Sequence, residues 1–107
     1  MKASGFIIVY ITAGDEAEAR KLAGILLENK KAACVNIIPK VASLYRWQGR
    51  IEDNTESLLI IKTRAALLDD IATLVKASHS YETPEIIAVP VIGGSPDYLA
   101  WLDKETT

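Results

Sequence analysis

The stretch Lys40-Val-Ala-Ser-Leu-Tyr45-Arg-Trp47-Gln48-Gly49-Arg50-Ile-Glu52-Asp-Asn-Thr-Glu56-Ser-Leu-Leu-Ile-Ile-Lys62-Thr63 organises the rest of the chain. β-Rich residues lie on both sides of Gln48-Gly49, which reads as the two-residue turn of a β-hairpin. The entering arm begins as early as Ala32 and the leaving arm reaches Thr63. At ~3.3 Å per residue, arms of roughly 14 to 16 residues span ~45–50 Å. The other strand candidates, Phe6–Ile11 and Ile86–Ile92, are about half that length. The hairpin tip should therefore project beyond any sheet the chain builds alone. A projecting two-stranded ribbon leaves edges unpaired and is marginal in water, so a second copy of the chain is the simplest cover for it.

Outward from the hairpin, Phe6–Ile11 is continuously apolar and β-branched, which predicts a strand covered on both faces. Asp15 followed by Glu18 forms the pattern of an N-cap with a capping box. Ala19, Leu22, Ala23 and Leu26 then recur at helical spacing, and Glu28-Asn29-Lys30-Lys31 closes the helix with cations in its last turn. Ala32–Ile38 is the next strand, with Pro39 marking a bulge or an unpaired edge. Ser57–Ile61 is apolar on both faces and reads as a central strand.

A second helix follows from about Ala65 to Ser78, burying Leu67, Ile71, Leu74 and Val75, with Thr63 as its N-cap. Pro90 ends the Ile86–Ile92 strand or sets it at an edge. A short amphipathic helix starts at Ser95 or Asp97. The order is β-α-β-β-α-β plus a C-terminal helix. It predicts one α+β domain over 1–107 with the ferredoxin-like, split-βαβ architecture: an antiparallel sheet with both helices on one face.

Composition narrows the partners. Half of the 107 residues are hydrophobic, enough for a core, and a net charge of −2 with mixed signs leaves no basic face for nucleic acid. Lys2 before Phe6–Ile11 faintly resembles a signal peptide, but the apolar run is too short for one and too short to cross a bilayer. Cys34 is the only cysteine, so no internal disulfide forms, and a reducing cytosol fits.

Few residues carry soft chemistry. His79, the only histidine, sits at a helix C-terminus before Tyr81-Glu82-Thr83 and as a neutral imidazole could bind copper, zinc or nickel. Its competing role is structural: satisfying the last helix carbonyls or hydrogen-bonding Glu82. Cys34 lies mid-strand with no adjacent cation, which predicts an inert, packed thiol. One Cys, one His and Met1 cannot furnish an all-soft four-ligand site, so any metal site must recruit carboxylates such as Glu82 or Glu85, or pool copies across subunits. Tyr45 and Trp47, two apart on a strand, share one face at the hairpin tip, with Glu52 opposite Tyr45. They are either interface anchors or the wall of a pocket between subunits. Gly93-Gly94 lacks the pattern of a phosphate loop and reads as a turn.

Several of these segments together are similar to the CutA divalent-cation tolerance family. The matching pieces are Thr12-Ala13 with Asp15-Glu16, Ala32-Ala33-Cys34-Val35-Asn36, Tyr45-Arg46-Trp47-Gln48-Gly49, Ile61-Lys62-Thr63, the run His79 to Ile86, and Tyr98-Leu99-Ala100-Trp101. They run in order through nearly the whole chain. The resemblance implies a ferredoxin-like subunit in a tight homotrimer, architecturally akin to PII signalling proteins, with a link to copper and other divalent cations. Family members commonly have proline after this histidine, where Ser80 stands here. Relatives credited with copper binding carry a cysteine and a further histidine where this chain has Ile11 and Ser78.

Three functions of different kinds follow. The first is a non-enzymatic cytosolic homotrimer concerned with divalent-cation tolerance and weakly binding a metal such as Cu(II) through His79, Cys34 and Glu82. The second is a PII-like sensor holding a small anionic metabolite between subunits, where Tyr45, Trp47, Lys62, Arg64 and the Tyr81–Glu85 loop meet. The third is a small hydrolase or isomerase with His79 and Glu82 as acid–base partners.

Overall fold

A computed structural model describes residues 5–107; Met1 and Lys2, weighed above as a soft donor and as a leader-like charge, lie outside the described residues. The chain runs β1 (Phe6–Ala13), α1 (Glu16–Glu28), β2 (Cys34–Trp47), β3 (Arg50–Arg64), α2 (Leu68–Ser78), β4 (Ile86–Pro90) and α3 (Pro96–Lys104). One antiparallel sheet holds them in the order β2-β3-β1-β4, the expected split-βαβ arrangement.

The hairpin is as long as the sequence implies: 14 residues in β2 and 15 in β3, against five in β4. Trp47 pairs with Arg50, leaving Gln48 and Gly49 as the two turn residues. Both have positive φ, 51° and 80°, which is the pattern of a type I′ turn and gives it the twist of the arms it joins. The register places Tyr45 opposite Glu52. Between Ile38 and Val41 the pairing shifts, so Pro39 sits in a bulge, and its free carbonyl accepts from the Ser57 hydroxyl at 2.7 Å.

One face of the sheet carries the core. Ile7, Val9 and Ile11 of β1 alternate with Leu59 and Ile61 of β3 against Leu22 and Leu26 of α1 and Ile71 and Val75 of α2. The other face is apolar too, yet no helix covers most of it. Ile8 and Tyr10 stand there beside Val89 and Ile87, the latter 56% exposed. The double-sided apolar strand read in Phe6–Ile11 is real, but a single chain buries only one of its sides.

Several boundaries depart from the sequence reading. Helix α1 stops at Glu28 with no basic residue in its last turn, because Lys30 turns to φ 58° and carries the cations past the helix. Strand β2 starts at Cys34 rather than Ala32. Thr63 does not cap the second helix: it is a fully buried β3 residue whose hydroxyl donates to the Lys31 carbonyl, and a 3₁₀ turn (Ala65–Leu67) precedes α2. Asp15 does cap α1, accepting from the Glu18 amide at 2.8 Å, but Glu18 reaches back to the amide of Gly14 (2.9 Å), not that of Asp15. That one-residue difference frees Glu18 for other work.

Candidate functional site

At the root of the hairpin, the end of β1, the start of α1 and the loop after α2 are tied together by His79, Glu18 and Tyr81. The His79 side chain is fully buried. Its Nδ1 lies 3.0 Å from the Tyr81 amide, which can only donate; its Nε2 lies 2.7 Å from the Thr12 carbonyl, which can only accept. Those two partners fix the neutral Nε2–H tautomer and occupy both nitrogens. Glu18 accepts from the Ser80 amide (2.7 Å) and hydroxyl (3.0 Å) and stands 3.8 Å from Nδ1. Burial alone would raise its carboxyl, but the hydrogen bonds from Gly14 and Ser80 more than offset this and hold it below the ordinary value. The carboxylate beside His79 is therefore Glu18, from 61 residues upstream, and not Glu82. The acid–base pairing of His79 with Glu82 is corrected accordingly: no hydrogen bond between them is formed, and the imidazole has no lone pair to offer a substrate.

Tyr81 continues the chain of bonds outward. Its hydroxyl donates to Glu56 Oε2 at 2.8 Å, and burial, then Glu56, pushes the phenol well above its usual range. Glu56 itself is only 7% exposed. Here the loop borders a cleft of about 720 Å³, whose lining includes Tyr45, Trp47, Glu56, Tyr81, Glu82 and Glu85. The pocket-wall reading of Tyr45 and Trp47 thus acquires a geometry in the isolated chain. Both rings remain exposed, at 40% and 48%. Burial and then the Glu56 charge raise the Glu85 carboxyl.

The remaining candidates lie elsewhere. Cys34 stands opposite Lys62 on the sheet face turned away from α1 and α2, with its sulfur 3.8 Å from Asn36 Oδ1 and beside Tyr98 of α3. It is half-buried rather than packed in the core, because β2 is an edge strand on the open face. Lys62 bonds to Asn36, and Arg64 bonds to Thr106 with Asp103 nearby. Lys62 is six residues along β3 from Glu56, about 20 Å, so within one chain neither cation meets the Tyr81–Glu85 loop. Cys34 and His79 are likewise apart: they are fastened to strand positions four pairs distant, about 13 Å. The set His79, Cys34 and Glu82 does not fit a metal within one chain, and among the described residues no three His, Cys, Asp or Glu side chains converge to hold one.

The CutA1 divalent ion tolerance protein family model matches residues 7–105. The chain belongs to this family. It is 46% identical over 100 residues to the chloroplastic protein CutA of Arabidopsis thaliana, covering 94% of this chain and 55% of that protein. The divalent-cation tolerance protein CutA of Thermus thermophilus is 43% identical, with 92% and 96% covered. The chain thus spans about half the length of its plant relative and nearly all of the bacterial one. Among solved structures, CutA1 from Oryza sativa superposes with a TM-score of 0.94 at 45% identity, covering 98% of this chain and 96% of that one. The Thermus thermophilus structure gives 0.93 at 42%, with 95% and 99% covered. These likenesses extend across the hairpin, the loop after α2 and α3.

Proposed function

We propose that the chain works as a non-catalytic cytosolic homotrimer in divalent-cation tolerance, and that it binds a metal such as Cu(II) only weakly. The observation that carries this reading is the uncovered apolar surface of the hairpin and sheet. Leu44 and Ile51 on one side of the ribbon are 68% and 71% exposed, Trp47 on the other is 48% exposed, and Ile87 and Val89 line the open sheet face. A surface of this kind on a single chain calls for a partner, and a copy of the same chain supplies matching apolar faces. Family membership supports both the tolerance role and the three-fold assembly. Since the described residues of one chain bring no converging ligand set, this reading draws metal donors from several subunits, and affinity is expected on the order of micromolar or poorer.

The PII-like alternative needs cations beside the cleft, and in the chain itself Lys62 and Arg64 are engaged at the far end of the sheet. A neighbouring subunit would have to bring them. Native mass spectrometry of protein from cells tests all of this at once. Three chains without a retained nucleotide is the expected result; a monomer, or a trimer carrying a stoichiometric anionic metabolite, overturns it.

A further inference from the structure

We propose that α3 is a hinged strap that opens ahead of the rest of the fold and controls access to the Cys34 thiol. The helix lies against β3, with its Tyr98 on the sheet face turned away from α1 and α2. Leu102 is its one buried side chain, and that residue stands outside the core that α1 and α2 seal. Tyr98 and Trp101 lean on each other and remain exposed. A helix of nine residues is marginal alone in water, so α3 persists only while its anchors hold.

One end of the strap is a hinge and the other a latch. Ile92-Gly93-Gly94-Ser95, between β4 and α3, is exposed and irregular, and a Cβ at Gly93 would meet nothing. Such a segment can absorb the backbone rotation of a swinging helix. Beyond α3, the buried Thr106 hydroxyl accepts from Arg64 Nε at 2.9 Å and donates to the Leu102 carbonyl at 3.0 Å. The Thr107 amide donates to the Lys30 carbonyl at 2.9 Å, and Lys31 Nζ donates to the Thr107 carbonyl. Water can replace these bonds once the strap lifts, so opening costs a latch and one leucine, not the core. Cys34 lies under the strap, with its sulfur beside Tyr98 and Asn36, and Asn36 also accepts from Lys62. Lifting α3 removes Tyr98 and leaves the thiol in solvent opposite a cation, which favours the thiolate. This inference goes beyond the metal-tolerance reading and does not depend on it.

Peptide-resolved hydrogen exchange of the full chain at neutral pH, run beside the rate at which iodoacetamide alkylates Cys34, tests it. Amides of α3 should exchange at least about tenfold faster than those of α1 in the parent protein. Thr106→Val, which removes the latching hydroxyl and keeps the branched shape, should speed α3 exchange and Cys34 alkylation together, each by about tenfold. Exchange in α1 and the urea midpoint should stay where they are. Thr106→Ser keeps the hydroxyl and should match the parent in every readout. Equal protection of α3 and α1 in the parent overturns the proposal, because the strap then opens only with the whole fold. So does a Thr106→Val variant whose exchange rises equally throughout the chain. Faster α3 exchange with unchanged alkylation also overturns it, since the thiol is then reached without the strap.

Discussion

The Tyr81 hydroxyl donates to Glu56 at 2.8 Å, joining the loop after α2 to the one strand of the hairpin that runs through the centre of the sheet. Glu56 is nearly buried, so the bond also satisfies a carboxylate that has little access to water. Tyr81→Phe should destabilise the fold by about 1–3 kcal/mol per subunit, the cost of leaving such a group without its donor. Urea denaturation at fixed protein concentration checks this. A neutral Tyr81→Phe would mean that water replaces the hydroxyl at no cost.

Glu18 makes stability depend on pH in a definite direction. Its folded carboxyl is held below its ordinary value, so the folded state binds its proton less readily than the unfolded state does. The stabilisation is present above the unfolded value, about 4.3 for glutamate. It is lost as pH falls through the lower folded value. Glu18→Gln should therefore cost about 1–3 kcal/mol at pH 7, with the difference shrinking toward zero in strong acid. Glu85 has the opposite sign. Its raised carboxyl is a penalty at neutral pH that disappears as the group protonates, so Glu85→Gln should leave stability at pH 7 unchanged or raise it. Denaturation curves for both variants at pH 7 and pH 3 measure the two trends together.

The hairpin and the sheet order were legible because each rested on a local signal that tertiary structure had no reason to override. Gln48-Gly49 fixed the turn, Pro39 the bulge, and Pro90 the end of β4. The site was harder to read for the same reason. Glu18 looked like half of a capping box, and its contact with Ser80 spans 62 residues that no short-range pattern connects. Cys34 looked like core because its neighbours are apolar; only the sheet order shows that β2 is an edge strand, with Cys34 half-buried beside Tyr98 of α3. The cleft has no motif at all. It arises where Glu56, Tyr81 and Glu85 meet Tyr45 and Trp47, from three separate segments.

His79 has both ring nitrogens held by backbone partners. Removing its ring orphans the Thr12 carbonyl and the Tyr81 amide and opens a cavity at the root of the hairpin. His79→Ala should cost on the order of 2–4 kcal/mol. Cu(II) affinity of the folded variant should match that of the parent, because neither ring nitrogen is available in the native state. Calorimetric titration of metal-free protein at a temperature where both are folded decides the point. A large loss of Cu(II) binding would show that the ring leaves its two backbone partners to ligate.

Assembly is the most exposed prediction. The outer half of the hairpin, from Val41 to Trp47 and back from Arg50 to Glu56, pairs only with itself. A two-stranded ribbon with Leu44, Trp47 and Ile51 in water is marginal alone. The aromatic ring at its tip should therefore be buried by a neighbouring copy, where truncating an anchor of this size costs on the order of 2–4 kcal/mol. Light scattering at micromolar concentration should give about three chain masses for the parent. Trp47→Ala should shift the equilibrium toward smaller species on dilution and make the thermal midpoint depend on concentration. A parent protein that stays folded and monomeric across that range would mean the ribbon is stable without a partner, and the proposed homotrimer would fall with it.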